Sequence, residues 1–269
     1  MAGSFAKLKT MADAYQNISF NLDDRVAVIT FDRPPLNVLN ISMMREIGNV
    51  LSECGRRNEL VAIVFKAAKD SRAFSAGVAV EEHVAETVYQ MLDSFHAIFR
   101  ALEQIAKPTI AVVDGSAMGG GCELVAACDI VIASDRARFG QPEIKLGVFP
   151  PVASILLPLV VGEKRARELI LTGELIDASE AAQLRLVSHV VPVAQLEQRT
   201  TEILAKLREL SGSTLAYARK ALDLGRGRSL NEALSESEDF YLNELMKSSD
   251  ALEGVKAFME KRKPIWRNR

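Results

Sequence analysis

Residues 109–134 read TIAVVDGSAMGGGCELVAACDIVIAS. Two β-branched runs, TIAVV (109–113) and DIVIA (129–133), flank a cluster of glycines that opens an apolar helical segment. Working toward the amino end, the same grammar recurs. VAVITF (26–31) and VAIVFKA (61–67) are further runs of this kind, a helix-like segment (42–54) lies between them, and another helical stretch (88–105) precedes TIAVV. Apolar runs of this length, alternating with helices, indicate strands covered on both faces, as in α/β proteins. Beyond Gly162 the texture changes. EKRARELILTG, ASEAAQLRL, AQLEQRTTEILAKLREL, STLAYARKALDLG and NEALSESEDFYLNELM all place apolar residues at intervals of three and four, so the carboxyl third reads as helical. Only HVVP (189–192) interrupts it with a short strand.

Composition limits the function classes. Of 269 residues, 33 Lys and Arg stand against 35 Asp and Glu, a formal charge of −2, without the basic excess of a dedicated nucleic-acid binder. Three cysteines, Cys54, Cys122 and Cys128, are too few and too oddly spaced for a disulfide framework and suit a reducing compartment. His83, His96 and His189 are scattered singly, which argues against a histidine-rich metal site. The longest uncharged stretch, residues 146–162, contains Pro150, Pro151 and Pro158 and falls short of the roughly 20 residues of a membrane-spanning helix. MAGSFAKLKTMADAYQ, at the amino end, has no apolar core of the secretory type, so the cytoplasm is the expected compartment.

Two segments depart from the strand and helix pattern in ways suited to chemistry. In AFSAGV (73–78) small residues around Gly77 permit a turn with exposed amides. In DGSAMGGGCEL (114–124) a glycine cluster starts a helix, where free N–H groups can meet a negative oxygen. No Gly-Lys-Ser/Thr follows the glycines and no GxGxxG spacing occurs, so nucleotide cofactors are unsupported. Glu123 is the odd residue in an apolar surrounding, and burying it unpaired would cost on the order of 2–7 kcal/mol. Glu143 stands in FGQPEI (139–144), again beside glycine and proline. Two desolvated glutamates suggest general acid–base work, but two satisfied helix-capping carboxylates fit the spacing as well. Ser75 lacks a GxSxG elbow, and Cys122 in an apolar helix reads as an inert small hydrophobe.

Taken in order, AFSAGV, DGSAMGGGCELVAACDIVIAS, ARFGQPEIKLGVFP, LTGELIDASEAAQLRLVSHVV and EGVKAFMEKRKPIW resemble the crotonase superfamily of enoyl-CoA hydratases and isomerases, from about Ile18 to Trp266. The resemblance implies a spiral core of ββα units over residues 15–205. A helical region, 206–269, would follow, completing the site and building homotrimers or hexamers. It implies an enolate formed from an acyl-CoA thioester and held by two backbone N–H groups, at the positions of Val78 and Gly120. Glu123 then activates water and Glu143 protonates Cα, with roles reversed on dehydration. Coenzyme A, part of the substrate, would pass Ala76 and Arg72, with Phe240 and Lys261 of the tail closing over it. No metal, flavin, nicotinamide, nucleic acid or membrane is implied.

The chain departs from the family pattern at Ala79, where many relatives carry Asp, and at GVFPPVAS (147–154), where straight-chain hydratases carry a proline and a glycine-rich run. Adjacent prolines stiffen that wall, and the pattern is reminiscent of the branch that hydrates cyclic dienoyl-CoA esters. The expected function is therefore hydration of a conjugated 2-enoyl-CoA, straight or alicyclic. Double-bond isomerisation or another enolate-forming reaction is the alternative. A non-catalytic RNA-binding or scaffold role is the reading from a different class, and balanced charge and two retained glutamates count against it.

Overall fold

VAVITF, AIVFKA, TIAVV and IVIAS have almost no polar side chain to turn toward water, so each must be covered on both sides. In the computed structural model, which describes residues 15–269, they form the middle of a six-stranded sheet. Residues 1–14, within the segment read for a secretory core, lie outside the described residues. The sheet comprises β1 (Ile18–Asp23), β2 (Val26–Phe31), β3 (Ala62–Ala67), β5 (Thr109–Val113), β7 (Ile130–Ser134) and β10 (His189–Val191), hydrogen-bonded in that order. β1 runs antiparallel to β2; every other pair is parallel, with Val28 beside Val64, Val64 beside Ile110 and Val112 beside Ile132. One face packs Ile29, Phe31, Ile63 and Phe65 into a core shared with α1 (Ile41–Gly55) and α2 (Val88–Ile105). The other packs Val26, Val64, Ile110 and Ile132 against Ile203 and Leu204 of α7 (Leu196–Arg208). Two covered faces are the reason the sequence shows no polar alternation.

A second sheet holds β4 (Ala73–Ser75), β6 (Ser116–Met118), β8 (Arg138–Gly140) and β9 (Leu175–Asp177) in that order. The first three are parallel and β9 is antiparallel to β8. β3 leads to β4, β5 to β6 and β7 to β8, and a helix follows the first two of these pairs: α2 after β4, α3 (Gly120–Ala127) after β6. The chain thus climbs a spiral of long strand, short strand and helix, the crotonase-like arrangement. The helices read beyond Gly162 are present as α5 (Glu163–Thr172), α6 (Ala178–Gln183), α7, α8 (Gly212–Asp223), α9 (Leu230–Asn243) and α10 (Ser249–Met259), and one more, α4 (Ala153–Val161), precedes them. HVVP is not the tail's only strand, however. β9 also interrupts it, because Leu175–Asp177 completes the edge of the short sheet with three residues, too few to show a period.

Polar contacts tie the tail together and join it to the core. Buried Asp250 accepts from Ser211 Oγ at 2.6 Å and from the backbone N–H groups of Arg267 and Asn268 at 2.8 Å. Arg219 of α8 reaches Asp129 beside β7 at 3.0 Å.

The segment joining β2 to α1 braces the first glycine turn. Asn37, fully buried at φ +49°, accepts from Arg33 N at 2.9 Å and donates to the carbonyls of Ala73 and Phe74 at 2.9 and 3.2 Å. Ser75 Oγ donates to Asn37 O at 2.8 Å and accepts from Gly77 N at 3.1 Å. Replacing Asn37 by Ala strands two buried carbonyls and an amide, which costs on the order of 2 kcal/mol. A urea titration of Asn37→Ala is expected to show that loss, and an unchanged midpoint would mean the brace contributes nothing.

Candidate active site

The loop after β4 and the start of α3 meet without side chains between them. Gly77 adopts φ +98°, and a Cβ placed on it would lie 3.0 Å from Met118 O and 3.5 Å from Gly120 N. A Cβ on Gly121 would lie 2.7 Å from Ser75 Cβ. Only glycines allow this approach. Leu39 N donates to Gly77 O at 2.8 Å and Ala79 N to Leu39 O at 3.0 Å. That parallel bridge leaves the intervening Val78 N–H facing away, with no protein acceptor among the described residues. Gly120 is the first residue of α3, and its N–H likewise has no acceptor among the described residues, as the opening turn of a helix requires.

Glu123 follows one turn later on α3, 2% exposed. Its Oε1 accepts from Ala153 N, at the start of α4, at 2.7 Å. Burial pushes its carboxyl up to about 7 against the pull of that hydrogen bond, and the neighbouring Glu143 carboxylate pushes the same way. Glu143 sits in the 3-10 turn Pro142–Leu146 after β8. Its carboxylate is pressed against Gly119, where an added Cβ would lie 2.5 Å from Oε1. Burial raises this group to about 7 as well. With its amide turned to donate, buried Gln141 offers Nε2 at 3.2 Å to both Glu143 oxygens.

Both carboxylates line one cavity of about 370 Å³, together with Ala76, Gly77, Val78, Gly119 and Gly120. Apart from His83, its remaining walls are apolar. α2 supplies Met91, Leu92 and Phe95, and the segment after Glu143 supplies Leu146, Val148, Phe149, Pro150 and Pro151. The structure therefore brings together Val78, Gly120, Glu123, Glu143 and Ala76. The other positions lie elsewhere on the chain: Arg72 is exposed at the far end of β4, Phe240 packs on Tyr217 with ring centroids 5.6 Å apart, and Lys261 is exposed just beyond α10. Ser75 Oγ is committed to Asn37, and burial pushes the Cys122 thiol up to about 12, so neither is a nucleophile at neutral pH. Met91, Leu92 and Phe95 carry no functional signal in the sequence, because their spacing equals that of an ordinary core stripe. Gln141 could have been found, since it stands two residues before Glu143 in the quoted FGQPEI. Among the described residues no group of three or more His, Cys, Asp or Glu side chains could hold a metal ion, and no helix is long and apolar enough to cross a membrane.

The family model for enoyl-CoA hydratase/isomerase matches residues 21–269. The chain belongs to this family. A probable enoyl-CoA hydratase of Mycobacterium tuberculosis is 37% identical over 258 residues, which cover 95% of this chain and 99% of that protein. A cyclohexa-1,5-dienecarbonyl-CoA hydratase of Thauera aromatica is 36% identical over 239 residues, covering 88% and 91%. The crystal structure of an enoyl-CoA hydratase from Bacillus anthracis superposes with a TM-score of 0.88 at 32% identity, covering 94% of this chain and 100% of that one. As a member of the enoyl-CoA hydratase/isomerase family, the chain is an enzyme of acyl-CoA thioesters, a hydro-lyase.

A raised carboxyl has a consequence for stability. In the folded enzyme Glu123 holds its proton up to about pH 7, whereas unfolded it ionises near 4.5. Stability is therefore fullest below pH 4.5 as far as this group is concerned and falls as pH rises through 7, by roughly 3 kcal/mol. Glu123→Gln keeps the acceptor for Ala153 N and removes the ionisation. Urea titrations between pH 5 and 8 are expected to show the variant gaining on wild type as pH rises, and parallel curves would contradict the assignment.

Proposed function

We propose that the enzyme adds water across the double bond of a conjugated 2-enoyl-CoA, with alicyclic dienoyl-CoA esters among its substrates. The observation that carries this reading is the pair of desolvated glutamates beside two unpaired backbone N–H groups in one cavity. The thioester oxygen accepts from Val78 N–H and Gly120 N–H, and these donors strengthen as negative charge grows on it during enolate formation. Glu123 takes a proton from water as its oxygen bonds to Cβ, and Glu143 delivers a proton to Cα. Dehydration reverses both transfers. This requires one carboxylate and one carboxylic acid. Buried groups that titrate near 7 and oppose each other's ionisation supply that pairing at neutral pH. Gln141 holds Glu143 in place through both of its oxygens.

The apolar walls fit an acyl group. The stiff Phe149-Pro150-Pro151 side and the likeness to a cyclic-diene hydratase support a ring as well as a chain. The pantetheine arm leaves past Ala76, and Arg72 meets phosphate. Lys261 reaches coenzyme A from a neighbouring subunit. Phe258, 85% exposed one turn before Lys261, suits that cover better than Phe240, whose ring is already packed on Tyr217. Leu222, Leu230, Phe258, Met259 and Ile265 leave an apolar tail surface open on the single chain, which supports trimers or hexamers.

Hydration of crotonyl-CoA in isotopically labelled water tests the reaction. The hydroxyacyl product is expected to carry solvent oxygen, with kcat lowered about 10²–10⁴-fold in both Glu123→Gln and Glu143→Gln. Turnover of double-bond isomers without label uptake would replace hydration by isomerisation. A parallel panel of straight and alicyclic unsaturated thioesters, read by mass of the adduct, decides the ring.

A further inference from the structure

Glu123, Glu143 and His83 carry the only polar side chains lining the cavity among the described residues. The reaction proposed above uses both carboxylates and leaves His83 without a task. This histidine closes the 3-10 turn Val80–Glu82, which begins two residues after Val78. The turn is fixed at both ends. Glu82 N donates to Ala79 O and His83 N to Val80 O, each at 3.1 Å. The Glu82 carboxylate accepts from Ile41 N at 3.0 and 3.1 Å, fastening the turn to the start of α1. The ring is fixed too, with Nδ1 2.9 Å from Ala79 O. A carbonyl has no proton to give, so Nδ1 carries the hydrogen, and in that tautomer Nε2 is the acceptor. Nε2 has no protein partner among the described residues.

We infer that His83 determines acyl specificity by accepting, at Nε2, a hydrogen bond from a hydroxyl carried on the acyl group beyond its conjugated double bond. The inference rests on the hydratase reading and names the substrate class of that same site. Val80, Val88 and Leu92 line the same cavity and offer a hydroxyl nothing. With both glutamates engaged at the reacting carbons, a distal hydroxyl entering this pocket finds one acceptor. An unsubstituted chain leaves Nε2 to water, because His83 is exposed. The discrimination is accordingly that of one hydrogen bond rather than of a stranded polar group, about tenfold.

The test compares two thioesters of one carbon skeleton, a plain 2-enoyl-CoA and its terminally hydroxylated counterpart, on the full-length enzyme and on His83→Leu. Wild type is expected to favour the hydroxylated thioester about tenfold in kcat/KM, and the variant to lose that ratio, its kcat/KM falling more on the hydroxylated thioester than on the plain one. No preference in the wild type, or equal losses on both thioesters in the variant, overturns the inference. A carboxylate-terminated thioester is the third arm, and a wild-type preference for it over the hydroxylated one overturns the acceptor role of the ring. Failure to hydrate any of the three would instead reject the hydratase reading itself.

Discussion

Backbone meets backbone where the Gly77 turn touches the start of α3, and the site depends on that contact. Peptide N–H groups from two separate turns of the spiral can face one small volume only if no Cβ stands between them, and Gly77, Gly120 and Gly121 remove those atoms. The parallel bridge between Leu39 and Val78 then turns one N–H outward, and the opening turn of α3 turns the other. Nothing in this construction uses a side chain as donor. The side chain of Val78 can therefore be exchanged without altering what its main chain offers.

The same packing desolvates the acids. Glu123 is buried by α3 and tied to the first turn of α4, while Glu143 lies against Gly119 and receives Gln141. Exposed carboxylates would both be ionised at neutral pH and neither could give a proton. Removed from water, they move toward the pH at which giving and taking are balanced. The free-energy penalty of burial and the competence of the site are two consequences of one environment.

The long strands were legible because β-branched apolar runs covered on both faces leave a plain signature, and β2, β5 and α2 fall within the bounds read for them. β4, β6, β8 and β9 were not, since three residues cannot display a period, and so the second sheet stayed hidden until β6 and β8 were seen paired. Glu123 and Glu143 stood out one by one as charges in apolar surroundings. Their convergence could not be read, because it is produced by that pairing and by Gly119 N donating to Gly140 O at 2.9 Å. The proposed donors, Val78 and Gly120, come from the family resemblance. That resemblance did not supply the contact of Phe240 with Tyr217, which arises from the packing of α9 on α8.

The cavity draws the groups proposed to react from the turns after β4, β6 and β8, and its walls from α2 and from residues 146–151. These are different stretches of chain with different neighbours. Residues such as Leu92 or Val148 can be exchanged without disturbing any atom that handles protons. Bond-making and fit can thus diverge independently, and a lineage built on this scaffold can acquire a new diet while its reaction stays the same.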